Sequence, residues 1–342
     1  MNTIIHTNPA PVTPAQTLRP LFVLSGPRSG SSLLYTLLNQ HSQIALLYEG
    51  DLPLLQLFLW GQFRSGAWRE RWEFWNQAPS RHGIAIESLP ASVSDVWEAT
   101  RLSYQILARR KRAMIWGEKT PRAYHSALRL AEEFPDARFI FLWRNLHDVI
   151  GSWVRAAVTQ RSFRQPRSIA KILLGNETLW QACDALRVQG RLVREVNYED
   201  LTSNTSECMR QICQFLEVPF EDQITSLKGA DRTGIPSGQH LALVRGDRIV
   251  GQREQAEVLS PATRAKIGRY ICRWKLRYDG KWPKYPRKLP EGTRPPSFFE
   301  LWRDRIADQS LRFWDNVRLV ILHQIRPRVY PKKYTRRPVV VS

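Results

Sequence analysis

Short apolar runs and longer amphipathic stretches alternate along this chain. Leu21-Phe22-Val23-Leu24 leads into Ser25-Gly26-Pro27, the pattern of a fully buried strand closed by a turn. In residues 31–40, Leu33, Leu34, Leu37 and Leu38 recur at helical spacing, and Ile44–Tyr48 reads as a second strand. Residues 95–112 read as a helix ending in the basic cluster Arg109, Arg110, Lys111 and Arg112. A strand is expected over 113–116, ending at Gly117, then a helix over 121–134 that Pro135 halts. Arg138–Trp143 is a buried strand, followed by a helix over 148–159. Leu192–Asn197 is a further strand, and Thr205–Leu216 an amphipathic helix with Met209, Ile212, Cys213 and Leu216 inward. Ser260-Pro261 is a cap and first-turn pair that opens a last helix, to about residue 276.

This alternation predicts an α/β fold: a central parallel sheet between helical layers, joined by right-handed crossovers. In such sheets ligands bind beyond the carboxyl ends of the strands. Chemistry is therefore expected in the residues that follow each strand.

Composition narrows the class. The chain has 342 residues, 43% of them hydrophobic, enough for a core and too many for wholesale disorder. No basic-then-apolar leader is visible at the start, and the apolar stretch 44–60 is broken by Glu49, Gly50 and Asp51. Cys183, Cys208, Cys213 and Cys272 form no C-x-x-C pair, so buried free thiols are expected rather than disulfides or a zinc ribbon. The reading is a cytoplasmic protein that could sit peripherally on a membrane. A disordered lead-in (1–20), a main domain (21–280) and a basic, aromatic C-terminal extension (281–342) make up the expected organisation.

The first candidate site is Gly26-Pro27-Arg28-Ser29-Gly30-Ser31-Ser32, between a strand and a helix. Glycines there let backbone N–H groups close round an oxyanion, and the helix N-terminus adds positive charge. Ser31 and Ser32 supply further donors. A nucleoside-triphosphatase loop would end in Gly-Lys-Ser/Thr; here no Lys follows Gly30, and Arg28 is the cation. A second segment, Arg144-Asn145-Leu146-His147-Asp148-Val149-Ile150-Gly151-Ser152, directly follows the 138–143 strand.

Together these segments resemble the PAPS-dependent sulfotransferases, which use 3'-phosphoadenosine-5'-phosphosulfate. Residues 24–34 look like the family's 5'-phosphosulfate loop, with Ser31-Ser32 in place of its usual two threonines. Arg144 and Ser152 match the two 3'-phosphate positions. Trp116-Gly117-Glu118-Lys119-Thr120-Pro121, Asn197-Tyr198-Glu199-Asp200-Leu201 and Phe215-Leu216-Glu217-Val218-Pro219 resemble lesser family elements. Residues 240–248 resemble a nucleotide-closing loop, with Asp247 for the usual Asn and Arg248 one position early. The resemblance covers roughly residues 21–276 and is closest in spacing to tyrosylprotein and carbohydrate-type members. It implies PAPS as donor, PAP as product, a P-loop-like fold, and cofactor contacts from Gly26, Pro27, Arg28, Ser29, Gly30, Ser31, Ser32, Arg144, Ser152, Tyr198 and Arg248.

Glu49 is the candidate general base: it ends the 44–48 strand, at the same sheet edge as the loop, and its spacing from Arg28 matches that of the family's Glu. His41 and His125 are rivals; the family usually gives a His at the first of these a structural role. Lys119 is the candidate for the leaving bridging oxygen, and Arg28 for the sulfuryl or 5'-phosphate oxygens. Cationic side chains can do what sulfuryl transfer needs, and the seven histidines are scattered, so no metal is expected. The acceptor could be a carbohydrate, lipid, peptide or small molecule. Alternatives are a metal-using P-loop kinase and a non-catalytic, basic protein that binds membranes or nucleic acid.

The net charge is +20. Residues 281–342 hold 15 Lys+Arg and 5 Asp+Glu, a net +10, so half of the excess lies outside the recognisable domain. There, residues 297–324 read as a basic amphipathic helix that could pack on the core, join a second subunit or dock on anionic lipid. A multiply charged cofactor accounts for cations in the main domain, and no nucleic acid is expected.

Overall fold

Leu21, Phe22, Val23 and Leu24 are buried on both sides because β1 (Arg19–Ser25) runs through the middle of a sheet. The other strands are β2 (Ile44–Tyr48), β3 (Ile115–Thr120), β4 (Arg138–Trp143) and β5 (Leu192–Asn197), in the order β2-β3-β1-β4-β5. Every adjacent pair is parallel. Strands covered on both faces need continuous apolar runs rather than alternation, which is how β1, β2 and β4 read. The computed structural model describes residues 19–50, 77–85, 88–93, 96–121, 123–159, 163–164, 168–232, 234–236, 244, 246–249 and 256–277, and positions 297, 299, 302–303, 306 and 309–310.

Helices cover both faces. On one, α1 (Ser31–Asn39) and Thr205–Leu216 set Leu34, Leu37, Met209, Ile212 and Leu216 against Leu21, Val23, Ile140 and Leu142. On the other, Phe22, Leu24, Phe139 and Phe141 meet side chains of four helices: Val96–Lys111, Ala127–Glu133, Leu146–Thr159 and Ser168–Val188. Pro261–Arg277 adds Ile267, Ile271 and Trp274 to that side. In chain order the helices are α1, α2 (Gln77–Arg81), α3 (Val96–Lys111), α4 (Ala127–Glu133), α5 (Leu146–Thr159), α6 (Ser168–Val188), α7 (Tyr198–Ser203), α8 (Thr205–Leu216) and α9 (Pro261–Arg277). The expected three-layer α/β architecture is present.

Several boundaries differ from the sequence reading. β3 does not stop at Gly117 but runs on to Thr120, so Lys119 lies within a central strand. Gly117 permits this: its φ is +150°, and a Cβ there would overlap the Leu21 carbonyl of β1. The expected 121–134 helix is a 3-10 turn, Ala123–Ser126, followed by α4. α5 starts at Leu146, two residues early, because Asn145 caps it: the His147 amide donates to Asn145 Oδ1 at 3.0 Å. α6 was not anticipated between residues 159 and 192. It is buried on most sides, from Ile172, Leu173 and Asn176 to Leu179, Trp180, Cys183 and Leu186, so it shows no amphipathic stripe to read.

The last helix is capped as expected, with the Thr263 amide donating to Ser260 Oγ at 3.2 Å. The basic cluster at the end of α3 is partly tied into the fold. Arg109, Arg110 and Arg112 are exposed, and Arg110 bonds the His82 and Gly83 carbonyls at 3.1 and 3.0 Å. Lys111 bonds the Asn39 and Ile44 carbonyls, and burial lowers its ammonium to about 8. All four cysteines are free; Cys183 and Cys213 are buried, whereas Cys208 and Cys272 are only partly so. Among the described residues no helix is long and apolar enough to cross a membrane. Most of the expected 297–324 helix lies outside the described residues, as do residues 1–18; at described positions Phe299, Trp302 and Ile306 are exposed.

Candidate functional site

The β1–α1 connection sits mid-sheet, with the ends of β3 and β4 on either side. Arg28 has φ +65° and Gly30 φ +90°. Left-handed residues on both sides of Ser29 curl the backbone into the kind of concavity whose N–H groups bind anions. The Leu33 and Leu34 amides already bond the Gly30 carbonyl at 3.0 and 3.3 Å, which starts α1. Gly26 lies so close to the Asn176 amide of α6 that a Cβ would come within 3.1 Å of it. At Gly30 a Cβ would overlap the Tyr198 ring.

The β4 side grips this loop. Arg28 Nε donates to Ser152 Oγ at 3.1 Å, and Arg144 Nη1 donates to the Arg28 carbonyl at 3.1 Å. The Arg144 guanidinium lies 4.4 Å over the Tyr198 ring. Glu199, next to Tyr198, accepts the Asn145 amide at 2.9 Å and so fixes the turn between Arg144 and α5. Arg28 loses proton affinity first through burial and then through the charge of Arg144. Two facing cations in a desolvated place are matched to an anion.

The β2–β3 side carries the other pair. Tyr48 and Lys119 are partners in the β2–β3 ladder. Lys119 is fully buried; its Nζ contacts Glu49 Oε1 at 2.6 Å and lies 3.7 Å from the centre of the Tyr48 ring. The Glu49 backbone is left-handed, at φ +49°, and its amide donates to the Lys119 carbonyl at 2.8 Å. Tyr48 OH and Ser32 Oγ share a hydrogen bond of 2.7 Å, which connects this pair to the first turn of α1.

The structure thus brings Gly26, Pro27, Arg28, Ser29, Gly30, Ser31 and Ser32 together with Arg144, Ser152 and Tyr198, and sets Glu49 on Lys119. It does not join Arg248 to them. Arg248 is exposed beside Asp247, whose carbonyl accepts the Leu227 amide, and among the described residues no hydrogen bond or ion pair leads from Arg248 to the loop. His41 is fully buried; its Nε2 donates to the Pro219 carbonyl at 2.8 Å and its Nδ1 accepts the Gln43 amide at 3.0 Å. Both ring nitrogens are engaged in holding the α1–β2 turn, a structural role. The side chain of His125 lies outside the described residues. Sequence reading missed Tyr48, Asn145, Asn176 and Glu199; only Asn145, directly before an apolar helical run, carried a readable signal.

Two observations test the fit of a phosphate-bearing donor. The Ser29 hydroxyl and Arg144 Nε are buried without a hydrogen-bond partner, and such groups require an acceptor. Both belong to the cationic concavity, so the residues fit an anionic cofactor. Among the described residues no cluster of three or more His, Cys, Asp or Glu is placed to hold a metal ion.

A family model described as the sulfotransferase family matches residues 20–222, a span that includes the loop, Glu49, Lys119, Arg144, Ser152 and Tyr198. The chain belongs to the sulfotransferase family. Protein-tyrosine sulfotransferase A of Caenorhabditis elegans is 24% identical over 209 residues, 60% of this chain and 51% of that protein. The chain therefore spans about half the length of this curated relative. Two solved structures share the sulfotransferase fold. The sulfotransferase domain from the curacin biosynthetic pathway has a TM-score of 0.51 and 20% identity, covering 72% of this chain and 93% of that one. The sulfotransferase domain from the Synechococcus PCC 7002 olefin synthase has a TM-score of 0.52 and 21% identity, covering 72% and 91%.

Proposed function

We propose that this sulfotransferase-family chain takes PAPS as donor and moves its sulfuryl group to an acceptor hydroxyl, with Glu49 as general base. The observation that carries the reading is the convergence of Arg28, Arg144 and Ser152 on one loop, beside the buried, unpartnered Ser29 hydroxyl. PAPS supplies a sulfuryl group whose leaving group is a phosphate. Backbone N–H groups of residues 28–32 and the N-terminus of α1 hold the 5'-phosphate, and Arg144 and Ser152 hold the 3'-phosphate. Tyr198 packs against Gly30 and under Arg144, and orients that guanidinium.

Transfer forms a bond from the acceptor oxygen to sulfur and breaks the bond from sulfur to the bridging oxygen. The acceptor proton goes to the Glu49 carboxylate, and the electron pair of the broken bond goes to the 5'-phosphate. Lys119 and Arg28 stabilise the charge that builds there. Positioning and preset cations do most of this work, as in phosphoryl transfer. A cytoplasmic location is part of the proposal.

Calorimetric titration with PAP tests the reading. Wild type is expected to bind; Arg28→Ala and Arg144→Ala should each bind at least about tenfold more weakly, since each removes a charge-assisted contact. Absence of PAP binding by the wild type overturns the proposal.

A further inference from the structure

Tyr48 is the last residue of β2, and no step above uses it. Four contacts meet on it. Its hydroxyl bonds Ser32 Oγ at 2.7 Å. Its ring lies 3.7 Å under the Lys119 ammonium and packs edge-on against Tyr35, with centroids 5.0 Å apart. Its carbonyl accepts Arg81 Nη2 at 3.0 Å, and the same guanidinium reaches the Gly234 carbonyl through Nε at 3.1 Å. Its neighbour is Glu49. Tyr48 has no exposed surface.

Lys119 gains from this. A buried ammonium needs its charge met on more than one side; Glu49 meets one side and the electron-rich face of the Tyr48 ring another. Lys is a flexible four-carbon chain with a point charge at its end, so a fixed wall decides where that charge stands. Ser32, in the first turn of the phosphate loop's helix, ties the wall to the donor side.

We propose that Tyr48 is a positioning residue for sulfuryl transfer, its ring fixing Lys119 against Glu49 and its hydroxyl locking that ring to the phosphate loop. This rests on the reading of Lys119 and Glu49 as the transfer pair. Arg144 and Ser152 meet the loop from the β4 side, away from Tyr48, so Tyr48 governs the rate more than the hold on the donor.

Three measurements test it. With lysine labelled at the ε-carbon, the Lys119 ε-methylene protons, identified through Lys119→Met, should resonate upfield in wild type because they lie over an aromatic face. Tyr48→Phe should keep that shift, and Tyr48→Leu should lose it. PAP affinity should stay within about threefold in both variants. PAP release from PAPS, with phenol as acceptor, should lose at least about tenfold in kcat in Tyr48→Leu and less than about threefold in Tyr48→Phe, with KM for PAPS little changed. No upfield shift in wild type overturns the inference even if Tyr48→Leu does not fold, as does undiminished kcat in Tyr48→Leu. Failure of wild type to bind PAP sinks the sulfotransferase reading, while the lysine resonances still decide what Tyr48 does.

Discussion

Glu49 sits in a left-handed backbone, a conformation that is uncommon for a residue with a side chain, and its carboxylate meets a fully buried ammonium. Neither is needed to end a strand, and strain of this kind concentrates at working sites. Glu49→Gln keeps the size and the neighbours but cannot take a proton. It should leave PAP affinity within about twofold and lower turnover by at least about a hundredfold, the usual reach of general base catalysis; unchanged turnover would reject Glu49 as base. Gly30 makes a different demand. Its φ of +90° and the Tyr198 ring over its missing side chain mean that Gly30→Ala should push Tyr198 away from Arg144. PAP affinity should fall at least about tenfold, with roughly 1–3 kcal/mol of stability lost in urea unfolding. Arg28, Ser29, Arg144 and Glu49 were legible in the sequence because each lies in the connection that follows a strand. Tyr48 was not: its role depends on the β2–β3 register and on how close α1 lies to β2, and neither is written in local pattern.

At the scale of elements, turns do the aiming. Asn145 caps α5 through its side chain while its own amide is held by Glu199, so a single turn sets both Arg144 and the helix that presents Ser152. Asn145→Ala should cost about 1 kcal/mol, as cap deletions do, and weaken PAP binding more than a distant substitution of equal cost. Melting temperature and calorimetry measured on one preparation separate the two effects. The strands were readable because a parallel sheet buried on both faces needs unbroken apolar runs. β3 was the exception, since Gly117, Glu118, Lys119 and Thr120 look like a polar loop, yet all are buried in the ladder. α6 escaped for the opposite reason: a helix buried on most sides has too narrow a polar face to reveal its period.

The whole molecule has a titration built into it. Burial lowers His82 to about 4, with Arg81 and Lys111 adding to the effect and Asp231 opposing it. In the unfolded chain an ordinary His titrates near 6.5. The folded protein therefore gains this proton only below pH 4 or so, and the unfolded chain gains it earlier. Stability from this group is complete above about pH 6.5 and is lost as pH falls toward 4, by roughly 2–3 kcal/mol. Urea unfolding at pH 7 and pH 4.5 should show that loss, and His82→Gln should reduce it; an equal loss in the variant would assign the acid sensitivity to other groups. Arg28 and Arg144 have a further consequence at this scale. Contacts of Arg28 with Ser152 and of Arg144 with the Arg28 carbonyl keep the two cations near one another, and a compact oxyanion suits them. Sulfate or phosphate in a buffer would compete for the same place, so donor affinity should vary with the identity of the buffer anion as well as with ionic strength.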